Sequence, residues 1–81
     1  MNQSLKDKKI NNLIALYSQG EIERAISEAQ KLAKVYKKEP FLFNFLGVAN
    51  VGIGSIDKAI RYYKEALSLN SQYYEVYNNI G

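Results

Sequence analysis

The chain repeats itself. Sliding its 81 residues over themselves by 34 places superimposes Gly20 on Gly54, Ile22 on Ile56, Ala25 on Ala59 and Ile26 on Ile60, with Glu23 over Asp57 and Arg24 over Lys58. The same shift lays Asn44 on Asn78 and Gly47 on Gly81, with Phe43 over Tyr77 and Leu46 over Ile80. One period that explains matches at both ends restricts the fold to stacked copies of a single supersecondary unit, each burying its apolar side against the next.

Within the unit the apolar spacing is helical. Ser4 with Asp7 three places on fits a capping box, and Gly20 closes the helix that follows, which runs to about Ser18. In "EIERAISEAQKLAKVY", Ile22, Ala25, Ile26, Ala29, Leu32, Ala33 and Tyr36 fall on one helical face. Pro40 suits the first turn of a third helix, where its missing N–H costs nothing, and Gly52 and Gly54 close that helix. Ser55 is expected to cap a fourth helix with Asp57 near the positive end of its dipole, and Ile56, Ala59, Ile60, Tyr63, Ala66, Leu67 and Leu69 form its stripe. Asn70-Ser71 interrupts the pattern, and "QYYEVYNNIG" opens a fifth helix with room for about two turns. No segment reads as a strand. The expectation is an all-α single domain over residues 1–81, four helices plus a short fifth.

Composition narrows the function classes. With 47% hydrophobic and 23% charged residues the chain is ordinary for a globular protein, so disorder is not favoured. No run approaches the roughly 20 apolar residues that cross a bilayer, and "MNQSLKDKKI" is charged where a signal peptide needs an apolar stretch. A cytoplasmic protein with no membrane partner is expected. Without Cys or His, disulfides and thiolate chemistry are excluded, and no carboxylate pair, phosphate loop or metal-ligand spacing stands in their place. Gly52-Ile53-Gly54 is too short for a dinucleotide fingerprint. The chain is therefore expected not to be an enzyme and to hold no cofactor or metal. The net charge of +3 sits in the first half, yet its lysines alternate with acids at helical spacing, as on a solvated face. Tyr62-Tyr63 and Tyr73-Tyr74 read as packing rather than base stacking, so nucleic acid is not an expected partner.

Counted from Pro40, the order Phe43, Leu46, Gly47, Ala59, Tyr63 and Ala66 resembles the signature of the tetratricopeptide repeat, or TPR, a helix-turn-helix unit of this period. Repeat one is 6–39, repeat two 40–73, and 74–81 begin a third. Ser71 and Asn50 depart from the pattern, as do Lys9, Asn12 and Leu13 in repeat one, which are read as the drift of a terminal cap. Gly47 and Ala59 fall where the two helices of repeat two would cross most closely, with Phe43, Leu46 and Tyr63 filling the space beside them.

The resemblance implies a right-handed superhelix whose first helices line a concave groove for a peptide or partner protein. Its groove places hold Ile10, Ile14 and Tyr17 in repeat one, with Asp7 and Ser18 beside them. In repeat two they hold Phe41, Asn44, Val48 and Val51, with Gly52; Asn78 and Glu75 continue the row and Tyr73 lines its rim. Asn side chains there would bond a ligand's backbone while the apolar residues contribute by burial. Two readings stay open: Ile10, Ile14, Phe41 and Val48 as plain interhelix packing, and the recurrence of Asn44 and Asn78 as a structural bond. A subclass that grips chaperone tails uses a basic clamp, and its places here hold Ile10, Ile14, Phe45, Glu75 and Asn79, so that partner is not expected.

The opening is also similar to TPR segments that precede sulfotransferase or glycosyltransferase domains, which makes an N-terminal spacer or oligomerisation arm of a larger bacterial protein the alternative. Tyr77 and Ile80 occupy places that normally pack against the second helix of their own repeat. A homodimer is therefore expected, through stacking of C-terminal helices or a helix swap about Gly52 and Gly54.

Overall fold

The computed structural model describes residues 4–80. Gly81, expected at the crossing of a third repeat, lies outside the described residues. Five helices follow in order: α1 (Leu5–Ser18), α2 (Ile22–Val35), α3 (Pro40–Gly52), α4 (Ile56–Leu69) and α5 (Tyr74–Ile80). Each packs against the next, with no strand among the described residues. No helix among them is long and apolar enough to cross a membrane.

The period seen in the sequence recurs in the backbone. α2 and α4 begin and end at places related by the same shift, as do α3 and α5 at their starts. The turn after α1 is closed by Gly20 N–H donating to Tyr17 O at 3.0 Å and Glu21 N–H to Leu16 O at 2.9 Å. The turn after α3 repeats both bonds, Gly54 N–H to Val51 O at 3.0 Å and Ser55 N–H to Asn50 O at 2.8 Å. Both turns need a residue at positive φ, +84° at Gly20 and +82° at Gly54, a conformation that costs glycine nothing. The two α2–α3 and α4–α5 loops match likewise: Glu39 N–H donates to Tyr36 O and Tyr73 N–H to Asn70 O.

Helix starts divide into two kinds. Ser4 caps α1 as expected, its Oγ accepting from Asp7 N–H at 3.1 Å. Ser55 does not cap α4 with its side chain, and the sequence expectation there is corrected. Its backbone explains why: the preceding positive-φ glycine delivers Ser55 at φ −89° and ψ 70°, outside the extended geometry a capping hydroxyl uses, and Glu21 before α2 has nearly the same angles.

α3 is the buried centre. Leu42, Phe45, Leu46 and Ala49 join Ala25, Ile26, Ala29 and Leu32 of α2 in one core cluster. Phe43 and Val48 turn to a second cluster made of Ala59, Tyr63, Ala66 and Val76. α1, with one neighbour fewer, is polar where α3 is not: Lys8, Asn11 and Asn12 are exposed at the places of the buried Leu42, Phe45 and Leu46. This is the physical content of the cap expected for repeat one. Asn50, at a place where a large side chain was expected, is buried and donates Nδ2 to Leu46 O at 2.7 Å within its own helix.

The crossing inside each repeat solves one packing problem in two ways. A Cβ on Gly47 would meet the Tyr63 ring 2.8 Å from Cζ and closer still to Cδ1 and Cε1, so glycine lets the ring lie flat on the α3 backbone. In repeat one the sizes are exchanged: Leu13 stands at the place of Gly47 and Ala29 at that of Tyr63, and both are fully buried. The pair keeps one large and one small side chain, with Leu13 and Ala29 in the same core cluster. Leu13→Gly alone should cost about 3–5 kcal/mol by cavity and helix propensity, and Ala29→Tyr alone about 1–3 kcal/mol by overpacking. Combined, they should recover part of that loss, with a coupling of about 1–3 kcal/mol in urea denaturation; strictly additive losses would contradict the exchange.

Candidate functional site

The first helices lie side by side. Tyr17 of α1 meets Phe45 of α3 edge-on, with ring centroids 6.0 Å apart at 67°, and Phe41 stacks on Phe45 at 6.2 Å and 28°. Such aromatic pairs contribute roughly 0.5–1.5 kcal/mol each beyond simple burial. α5 joins α3 through Asn79 Nδ2, which donates to Asn44 Oδ1 at 3.0 Å. Phe45 and Asn79 hold the same place in successive repeats, and each reaches back to the preceding first helix. Neither stood among the expected groove residues; their shared place in the period is the sequence signal that would have found them.

The expected groove residues divide by exposure. Ile10, Tyr17 and Phe41 are half-buried against the first core cluster, and Val48 and Tyr73 against the second, so part of each is interhelix packing. Ile14 and Val51 are the open ones, each 45% exposed. Each leaves an exposed apolar side chain, one on α1 and one on α3.

The two recurring amides do not share a role. Asn44 is 4% exposed, and its Oδ1 accepts from Asn79 Nδ2. Asn78 is exposed and faces solvent, and its neighbour Asn79 makes the bond instead. At Asn44 the structure thus shows a bond between helices, one of the two readings left open. Burial raises the Tyr73 phenol above its ordinary pKa, the nearby Glu75 charge adds to this, and the Asn44 bond opposes it.

At the other end, Lys6 Nζ sits 2.7 Å from Glu39 Oε1 and 6.0 Å from the Tyr36 ring centroid, tying the start of α1 to the α2–α3 loop. The hydrogen bond and charge of Glu39 hold the Lys6 ammonium above its ordinary pKa. Among the described residues no group of three or more Asp, Glu, His or Cys gathers.

No protein-family model matches the chain, and a comparison with curated proteins returns no match. Its period, packing and surface carry the functional reading.

Asn44→Ala should free Asn79 and loosen α5, raising amide exchange at Val76 and the residues after it by roughly tenfold or more, the effect of losing about 1–3 kcal/mol of buried bonding. Asn78→Ala should leave the same amides within about twofold. Mass-detected hydrogen exchange checks both; equal effects would contradict the different roles assigned to the two amides.

Proposed function

We propose that the chain is a short TPR-type array whose first helices, α1, α3 and α5, form a concave surface that binds an apolar segment of a partner protein. Support for the array comes from the period recurring in helix bounds, turn hydrogen bonds and positive-φ glycines. Support for the surface comes from one observation above the others: Ile14 and Val51 stay 45% exposed on helices whose neighbouring apolar residues are drawn into the core.

Recognition by such a surface is mostly burial, roughly 25 cal/mol per Å² of apolar area removed from water. Rigid Tyr17, Phe41 and Phe45 rings under the row cost little entropy on binding, because their packing is already set. Tyr73 is half-buried against the second cluster at the rim, and its hydroxyl supplies a polar contact for a peptide backbone. Screening a displayed peptide library against the immobilised chain should return apolar sequences. Ile14→Asp or Val51→Asp should then weaken the recovered peptide at least tenfold with helicity intact by circular dichroism. Capture indifferent to both substitutions would refute the concave site.

The outer face of α5 is assigned to a second copy of the chain. Tyr77 and Ile80 are 50% and 47% exposed, whereas Leu46, at the place of Ile80 in repeat two, is fully buried. Ile56 and Ile60 on α4 are 50% and 38% exposed, while Ile26, at the place of Ile60, is 9% exposed beneath α3. Light scattering at high micromolar concentration should give a dimer that Ile80→Lys converts to monomer. A wild-type monomer at that concentration would remove the interface.

A further inference from the structure

A second surface lies on the opposite flank of α1. Between α1 and α2 runs an open groove of about 590 Å³ with Leu13, Leu16, Leu32 and Val35 in its lining. None of Ile10, Ile14 and Tyr17 borders it, so it is separate from the concave row. Val35 is 70% exposed on it.

The molecule itself shows what fills a groove of this shape. Shifted by one period, Asn12, Ala15 and Glu28 of the lining fall on Leu46, Ala49 and Tyr62, which repeat two packs in one cluster with α2. There Leu46 and Ala49 are fully buried, while their counterparts Asn12 and Ala15 in repeat one are exposed. The occupant in repeat two is a helix with a narrow apolar stripe, Ile26 and Ala29 being buried in the same cluster. Gln30 of that helix donates Nε2 to Tyr62 Oη at 3.2 Å. The groove in repeat one thus lies at the corresponding place and carries an acceptor, Glu28, at the place of Tyr62.

Charge separates the two grooves. Repeat one lines its groove with Lys9, Arg24 and Lys31 against Glu28 alone. Lys34 follows Lys31 one turn on. Arg24 and Lys31 approach Glu21 and Glu28 only at 3.7 and 3.8 Å, between exposed groups, and pairs of that kind hold their cations weakly. We infer that the α1–α2 groove binds a partner's amphipathic helix bearing acidic residues along the edges of a small apolar stripe. A second copy of the chain suits it less, since α4, the helix with an uncovered apolar face, brings Lys58, Arg61 and Lys64 against Asp57 and Glu65.

The probe is a synthetic peptide of residues 22–36 carrying Arg24→Glu, Lys31→Glu and Lys34→Glu, held helical by a side-chain lactam and labelled with fluorescein. It keeps Gln30, whose amide can donate to Glu28. Anisotropy with the full chain should show saturable binding that weakens with added salt. Lys9→Glu combined with Lys31→Glu in the protein, both at exposed positions, should weaken it tenfold or more without loss of helicity, and Leu16→Glu should do the same. Val51→Asp should leave it unchanged, which distinguishes this groove from the concave row. Four results would overturn the inference: no binding up to millimolar protein, equal binding of the peptide that retains its lysines and arginine, loss of binding in Val51→Asp, or conversion of a dimer to monomer by Leu16→Glu.

Discussion

The rest of the fold hangs on how closely α3 and α4 approach at Gly47. The Tyr63 ring occupies the volume a Cβ would need, and with that ring in place α4 can bury Ala59 and Ala66 to 1% and 0% exposure. Small residues on one helix and a flat ring against glycine on the other give a close crossing without a void. α5 then has a surface to dock on, with Val76 completing the same cluster. α3, committed on one side to α4, turns its other side to α2, and this double commitment is why it carries so few polar residues. The two buried amides it does carry are both bonded, Asn50 by its own helix and Asn44 by Asn79 of α5.

Much of this was legible in the residues. The period, the five helices and the turn glycines follow from spacing alone, because a 34-residue recurrence and a three-and-four apolar stripe each have few physical solutions. Ser55 was misread because capping propensity describes a hydroxyl on extended backbone, and a glycine at positive φ upstream sets a different geometry. Leu13 is buried with Ala29, and a crossing constrains the sum of two side chains rather than either one, which no single position in the sequence reports. The Asn79 to Asn44 bond was out of reach because neither its distance nor its direction is encoded in the identity of one residue. Exposure decided what remained of the groove, leaving Ile14 and Val51 open while their expected companions were drawn partly into the core.

Two surfaces of contrasting character result from one asymmetry. α3 packs against both α2 and α4 and is largely apolar, whereas α1 packs against α2 and exposes Lys8, Asn11 and Asn12. The proposed concave row is apolar at Ile14 and Val51, and the α1–α2 groove combines Leu13, Leu16, Leu32 and Val35 with Lys9, Arg24 and Lys31. An apolar segment suits the first and an acidic amphipathic helix the second, so the proposed module can hold two different partner chemistries at once.

The contact between Gly47 and Tyr63 is open to direct observation. In a nuclear Overhauser spectrum the Gly47 Hα protons should show strong cross-peaks to the Tyr63 ring protons, with an upfield ring-current shift of at least one Hα. Random-coil Hα shifts at Gly47 and no cross-peak to the ring would contradict the close crossing, and with it the packing of α3, α4 and α5 built upon it.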